Sequence, residues 1–120
     1  EEIHIVGGTG SRLDHMLANV YLLGLLREEG ISAYLVDAHN RVQVIDQRTV
    51  IKRETQYGKY VSLLPFMGAV EGITLKGMKY PLEDYTLDHC HSIGISNEIT
   101  GEQAEIELRT GRLVVIESKD

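Results

Sequence analysis

The spacing of hydrophobic residues changes about one third of the way along the chain. Residues 3–6 predict a short, mostly buried strand before a glycine-rich turn. Residues 13–29 then place apolar side chains three and four positions apart, which predicts an amphipathic helix closed by Gly30. Because residues 20–26 are apolar on nearly every side, we expect neighbours on two faces of this helix. The residues expected to face the core are Leu13, Met16, Leu17, Val20, Leu23 and Leu26.

A second buried strand is predicted at residues 33–36, and a strand–helix–strand unit implies a parallel pair. From residue 41 onward, apolar and polar positions begin to alternate, which is typical of half-buried strands. Thr110-Gly111 predicts a hairpin between residues 106–108 and 113–116. The further strands are expected at 49–53, 59–65, 70–77, 85–91, 104–109 and 112–117. The predicted fold class is an α/β fragment (strand, glycine loop, helix, strand) over residues 1–40, followed by an antiparallel β-sandwich over residues 41–120.

Composition limits the classes of partner. The 120 residues carry a net charge of −6 and no basic run, which argues against nucleic acid or an anionic membrane as a partner. Cys90 is the single cysteine, so a reducing, cytoplasmic location is expected. The longest apolar run is too short to span a bilayer. The chain opens without an initiator Met, directly in a strand, and we expect an upstream part to have been removed.

The glycine-rich turn is the first candidate for chemistry. Its sequence is Gly7-Gly8-Thr9-Gly10-Ser11-Arg12-Leu13-Asp14-His15. Backbone N–H groups at a strand-to-helix turn, together with the positive end of the helix dipole, favour an anion. Arg12 adds a forked donor suited to phosphate. A tight turn without a ligand is the alternative, because the segment fits neither the Walker nor the dinucleotide-binding pattern.

Other polar residues have two interpretations each. Asp14 could simply complement the helix dipole, and His15 and Asn19 could form an exposed strip one helical turn apart. Taken with Arg12, they predict a lined cavity at the start of an otherwise apolar helix. Residues 96–98 (Ser96-Asn97-Glu98) by themselves are typical of a polar turn between strands.

His89-Cys90-His91 has the residue types of a metal site. On a strand, however, His89 and His91 share one face while Cys90 points to the other. Two ligands without a third do not make a site, so structural or solvated histidines are expected and no metal ligand is predicted.

Several motifs together resemble the thiamine pyrophosphokinase family. The glycine turn with Leu17-Ala18-Asn19 resembles that family's Gly-Gly-x-Gly-Gly-Arg-x-Asp-His…Asn motif. Residues 62–65, 72–82 and 94–98 are similar, in order and spacing, to its thiamine-binding domain. The resemblance covers essentially the whole chain.

The resemblance implies an enzyme that transfers pyrophosphate from ATP to thiamine and releases AMP, with Mg²⁺ offsetting the polyphosphate charge. It also implies a homodimer with the thiamine site shared between subunits. The residues implied to bind the ATP phosphates are Gly7, Gly8, Thr9, Gly10, Ser11 and Arg12. Asp14 and Arg12 are the implied catalytic residues. The implied thiamine-binding residues are Asp14, His15, Asn19, Ser96 and Asn97, the last two from the partner subunit.

Two departures from the family pattern affect these expectations. Ser11 stands where the family usually has glycine. The aspartate clusters that hold Mg²⁺ and nucleotide in the family have no counterpart in this sequence, so we expect these 120 residues alone to be inactive. A non-catalytic thiamine-binding or dimerisation module is the alternative, and a general phosphate-binding α/β module ranks behind both.

Overall fold

The computed structural model describes residues 2–6, 12–88 and 92–120. Within these residues the chain forms ten β-strands and one α-helix, with short 3₁₀ turns at Arg53–Thr55 and Ser92–Gly94. The elements are β1 Glu2–Val6, α1 Leu13–Glu28, β2 Ser32–Val36, β3 Asn40–Ile45, β4 Thr49–Lys52, β5 Tyr60–Pro65, β6 Val70–Lys76, β7 Leu82–Leu87, β8 Asn97–Glu98, β9 Gln103–Glu107 and β10 Leu113–Ser118.

The larger sheet has six strands in the order β1-β2-β3-β10-β5-β8. Strands β1 and β2 pair in parallel, while the other neighbours pair antiparallel. The sheet is continuous across residue 40, since Val36 at the end of β2 pairs with Arg41 on β3. The division into units 1–40 and 41–120 therefore stays a prediction.

The smaller sheet has four antiparallel strands in the order β4-β9-β6-β7. Its inner residues, such as Ile73, Leu75 and Ile106, pack against Leu63 and Val115 of the larger sheet in one apolar cluster. Two sheets that pack face to face around a shared core in this way form a β-sandwich. The sandwich expected from the alternating pattern is therefore confirmed, in a chain that is mostly strand with one α-helix.

Helix α1 covers the other face of the larger sheet. Leu23 of the helix is buried in a second apolar cluster with Leu35, Val44 and Phe66. Gly24 permits this close approach, because a Cβ there would lie 2.2 Å from Cζ of Phe66. The larger sheet thus separates two apolar cores.

The expected hairpin at Thr110-Gly111 is wrong. Strand β9 lies in the smaller sheet, whereas β10 lies in the larger one. Thr110 still forms a bridge with Glu71 of β6, and two residues later the Arg112 carbonyl accepts the Phe66 N–H after β5. The chain therefore crosses from one sheet to the other between these strands, because their buried faces line opposite walls of one core.

Two smaller expectations need correction. Leu13 and Leu17 do not face the core, since they are 62% and 48% exposed, and Leu22 and Leu25 are exposed as well. The helix is covered by the larger sheet on one side only, not on two. The strand expected at 85–91 runs from Leu82 to Leu87, and residues 89–91 lie outside the described part of the chain.

A buried ion pair joins β3 to β10 next to the junction with β2. Glu117 is 1% exposed, and its carboxylate accepts two hydrogen bonds from the Arg41 guanidinium, both 2.9 Å long. It also accepts the Tyr57 N–H at 3.0 Å. Hydrogen bonding to Glu117 raises the pKa of Arg41, and burial raises the pKa of the neighbouring Tyr34 hydroxyl. This network satisfies a carboxylate that would otherwise be costly to bury.

We expect Glu117→Gln to lower the free energy of unfolding by about 3 kcal/mol, because it leaves the Arg41 charge in a half-buried site without a carboxylate. Urea denaturation followed by circular dichroism measures this change. The matched control is Glu105→Gln, whose partner Arg48 is about half exposed. The control should leave the urea midpoint nearly unchanged, and equal shifts for the two variants would contradict the special role of the buried pair.

Candidate functional site

A groove lies between the N-terminal half of α1 and the outer face of the larger sheet. Its volume is about 480 Å³, and most of its lining is apolar. The helix provides one wall with Met16, Leu17, Val20 and Tyr21. The sheet provides the rest of the lining with Asn40, Val42, Leu64, Pro65, Phe66, Met67, Val114 and Ile116. A concave apolar surface with few polar groups is typical of small-molecule sites.

A row of side chains on the sheet side of this groove continues past its lining and ends at a polar residue. Val42 and Ile116 are register partners, and Ile116 is in turn paired with Ser62 on β5. Because partners in an antiparallel pair point to the same face, the three side chains form one row across the sheet. The Ser62 Oγ accepts the Ser96 N–H at 2.9 Å. The row that begins under the helix therefore ends at one of the residues predicted for ligand binding.

Ser96 is held in an unusual backbone conformation. Its φ is +58°, in the left-handed region that residues with a side chain rarely adopt. The turn lies tightly on β5, since a Cβ on Gly94 would lie 2.5 Å from the Leu63 carbonyl oxygen. The Ser96 side chain is exposed, so its hydroxyl is accessible to a ligand.

Asn97 is buried and its amide is engaged within the chain. Only 2% of the residue is exposed. Its Oδ1 accepts the N–H groups of Tyr80 and Glu98, both at 2.9 Å, and its Nδ2 donates to the Tyr80 carbonyl at 2.8 Å. The side chain thus fixes the backbone of Tyr80 next to the Ser96 turn.

A second cavity, of about 610 Å³, lies beside that turn. One wall consists of residues 79–82 and the other includes Ile93, Ile95 and Ser96. Asn97 fixes the first wall through Tyr80, and Ser62 holds the second through Ser96. Ser96 is therefore placed between the groove under the helix and this second cavity.

Arg12 and Asp14 form an exposed ion pair at the start of α1. The Arg12 Nη2 lies 2.7 Å from Oδ2 of Asp14, and the side chains are 66% and 62% exposed. An ion pair this open contributes less than about 1 kcal/mol, so either partner can change contacts at little cost. Asp14 is not among the residues that line the groove; at about 100° per residue it lies about 20° from Tyr21 around the helix, at the edge of the helix wall.

His15 and Asn19 lie on a different side of the helix from Asp14. At 3.6 residues per turn, Asn19 is rotated by about 140° from Asp14, and His15 by about 100°. His15 is exposed, Asn19 is half-buried, and neither lines the groove. The structure therefore places Asp14 at the edge of the helix wall and Ser96 beyond the sheet side, next to Ser62, and it places His15 and Asn19 on another side of the helix.

Part of the predicted site lies outside the described residues. This applies to Gly7, Gly8, Thr9, Gly10 and Ser11 of the predicted phosphate loop. It applies equally to His89, Cys90 and His91, for which no metal role is expected. These expectations stay predictions.

Asp14, the acidic residue at the start of α1, does not form a magnesium site by itself. Oδ1 of Asp14 accepts the His15 N–H at 2.8 Å, and Oδ2 accepts Arg12. Mg²⁺ usually takes one or two carboxylates together with substrate phosphates and water. Across residues 2–6, 12–88 and 92–120, no three His, Cys, Asp or Glu side chains are arranged to hold a metal ion.

Sequence reasoning placed Ser62 and Tyr80 in motifs that resemble the family but assigned neither of them a contact. Ser62 is a small polar residue in the run Tyr60-Val61-Ser62-Leu63-Leu64, and it faces the helix side at 8% exposure. A lone serine on a buried apolar face is a signal that it has a partner. The identity of that partner is not local, because Ser96 lies 34 residues further along the chain.

The fold and the groove define a β-sandwich domain in which helix α1 covers one side of a ligand-sized cleft. Residues 48–113 match the family model described as thiamin pyrophosphokinase, vitamin B1 binding domain. The match covers more than half of the chain, and the chain belongs to this family.

Known relatives agree with this assignment. The chain is similar to thiamine pyrophosphokinase of Bacillus subtilis, with 31% identity over 118 residues that make up 98% of this chain and 55% of the relative. A crystal structure of the Bacillus subtilis protein aligns over 99% of this chain and 56% of its own, with a TM-score of 0.93 at 32% identity. That of the Geobacillus thermodenitrificans protein aligns over 100% and 55%, with a TM-score of 0.88 at 31% identity. The chain spans about half the length of these relatives.

The described residues were compared with the length and hydrophobicity that a membrane-spanning helix needs. Helix α1 is the single α-helix there, and no helix in this part of the chain is long and apolar enough to cross a membrane.

We expect Asn97→Ala to lower the free energy of unfolding by about 2 to 3 kcal/mol, because it removes three hydrogen bonds and leaves the Tyr80 N–H and carbonyl without their partner. Thermal and urea denaturation measure the loss. The control is Thr100→Ala, which shortens an exposed side chain three residues away and should have little effect. An Asn97→Ala chain as stable as the wild type would show that the amide does not hold the Tyr80 segment.

Proposed function

We propose that this chain binds thiamine in the groove between α1 and the larger sheet, and that it serves as part of an ATP:thiamine pyrophosphotransferase. The observation that carries the proposal is the match to the vitamin B1 binding domain over residues 48–113. That segment contains β5 and the Ser96-Asn97 turn, which lies next to Ser62 beyond the sheet side of the groove. The activity of the whole enzyme rests on the relatives, of which this chain spans about half.

The chemistry of thiamine suits the groove. Thiamine has two flat rings, of which the thiazolium is cationic and the aminopyrimidine carries hydrogen-bonding nitrogens. The apolar lining can cover the rings, and the Asp14 carboxylate, at the edge of the helix wall near the start of α1, can attract the cation. The exposed Ser96 hydroxyl, which the family resemblance assigns to the partner subunit, can bond the aminopyrimidine, with Asn97 holding the neighbouring backbone. His15 and Asn19 stay candidates for the outer contacts.

The phosphate side of the reaction is assigned to the start of α1. We propose that Gly7, Gly8, Thr9, Gly10 and Ser11 approach the ATP phosphates with their backbone, at the positive end of the helix dipole. Arg12 would exchange Asp14 for a phosphate oxygen, which costs little because their ion pair is exposed. Asp14, once released, would lie close to the thiamine hydroxyl that attacks phosphorus. Such transfer depends mainly on positioning and charge stabilisation.

A homodimer with shared thiamine sites is part of the proposal. Leu13, Leu17 and Tyr21 leave an exposed apolar stripe on the helix wall of the groove. A second subunit that covered this stripe would remove it from water and close the cleft. The partner subunit's Ser96 would then face Asp14, as the family resemblance implies, while the partner's Asn97 would hold the backbone next to it.

Isothermal titration calorimetry tests thiamine binding directly. We expect Asp14→Asn to weaken binding about tenfold, because it removes the negative charge opposite the thiazolium. Arg12→Ala should leave thiamine affinity unchanged or increase it, because it removes a competing cation from Asp14. Glu54→Gln, in the turn after β4 and away from the groove, is the matched charge control and should have no effect.

The salt dependence provides a second readout. Raising the salt from about 50 mM to about 500 mM should weaken wild-type binding more than Asp14→Asn binding, because salt screens exposed charges. Absence of thiamine binding by the wild-type chain, or equal losses for Asp14→Asn and Glu54→Gln, would contradict the groove assignment.

We expect no AMP release when the 120-residue chain is given ATP, Mg²⁺ and thiamine, because the described part of the site contributes the single carboxylate Asp14. A coupled AMP assay checks this, with the full-length Bacillus subtilis relative as the positive control. AMP release that depends on Asp14 would overturn the expectation and show that these residues suffice for catalysis. Thiamine binding without turnover is also what the alternative, a non-catalytic binding module, predicts.

A further inference from the structure

The Ser96 turn requires a restraint that its own sequence does not supply. A serine at φ +58° is in a sparsely populated conformation, and such residues persist only where the surroundings determine them. Glycine would adopt this conformation without a Cβ penalty, but position 96 has serine. Something outside the turn must therefore fix it.

Strand β5 supplies that restraint through three consecutive residues. Val61 pairs with Asn97, the Leu63 carbonyl lies against Gly94, and the Ser62 Oγ accepts the Ser96 N–H at 2.9 Å. The first two contacts use the β5 backbone, which many sequences could provide. The third depends on the side chain at position 62.

Ser62 is itself well placed to act as a fixed acceptor. It is 8% exposed and sits in a strand that is paired with β10 on one side and β8 on the other. Its face of β5 continues with Leu64 and then Phe66, which belong to the apolar core under the helix. A polar side chain is unfavourable on such a face unless it is hydrogen-bonded, and Ser96 provides the partner.

We infer that Ser62 is a positioning residue of the thiamine site: by accepting the Ser96 N–H, it holds Ser96 in the left-handed conformation that presents its hydroxyl to the ligand. The inference rests on the proposed function for its link to thiamine. The contact between Ser62 and Ser96 itself does not depend on that function. The two can therefore be tested separately.

The first arm measures amide hydrogen exchange of the free chain by NMR. Ser62→Ala should speed exchange of the Ser96 N–H about tenfold or more, because the amide loses its acceptor. Ser62→Thr retains a hydroxyl and should restore slow exchange. Ser118→Ala, a similar change on β10 of the same sheet, is the control and should leave the Ser96 amide unchanged. Equal exchange in wild type and Ser62→Ala overturns the inference whatever the thiamine result.

The second arm measures thiamine affinity in a double-mutant cycle. Ser62→Ala should weaken binding about fivefold to tenfold in the wild-type chain. In the Ser96→Gly background the same change should cost less than about twofold, because the hydroxyl that Ser62 positions is absent there. Ser62→Thr should bind within about twofold of the wild type.

The outcomes separate the two hypotheses. Equal losses from Ser62→Ala in both backgrounds would mean that Ser62 acts through general stability, and the positioning role would be rejected. Faster Ser96 exchange in a wild-type chain that binds no thiamine would retain the contact while rejecting the proposed function. Urea midpoints of all variants, measured in parallel, identify any variant whose loss reflects unfolding.

Discussion

Strand β10 is the element on which both cores depend, because it is buried on both of its faces. Leu113 and Val115 point into the sandwich, while Val114 points toward the helix. A strand in this position must be apolar without alternation, and only its last residues can be polar. Glu117 lies there, and three hydrogen bonds compensate its burial. The groove is framed by this strand, since Val114 and Ile116 line it.

Sequence periodicity identified most of the elements but could not assign strands to sheets. The helix and most strands were predicted within a few residues, because apolar spacing records which side of an element is buried. The Thr110-Gly111 connection was misjudged because a turn between two strands has the same local signal whether they pair or separate. Strand β8 was not predicted, because two residues are too few to show an alternation of apolar and polar positions. Leu13 and Leu17 fit a core stripe but are exposed, because spacing does not reveal what covers a helix.

In the candidate site, too, contacts between sequence neighbours could be predicted, whereas contacts between residues far apart in the chain could not. Arg12 and Asp14 lie two residues apart where the chain enters α1, so their proximity follows from the local sequence. The link between Ser62 and Ser96 joins residues 34 positions apart, and only the pairing of β5 with β8 brings them together. Asn97 was expected to contact a ligand, whereas its amide is engaged with Tyr80. A sequence motif indicates that a residue matters, but burial shows whether it acts on a ligand or on the backbone.

Two of the arginine–carboxylate pairs among the described residues show how burial separates structure from function. Arg41 and Glu117 are 27% and 1% exposed, so breaking their contact would leave a charge without solvent or partner. Arg12 and Asp14 are 66% and 62% exposed, so water can replace either partner at little cost. The first pair can therefore hold two strands together but cannot exchange ligands. The second contributes little to stability, and for that reason either member can exchange its partner at little cost.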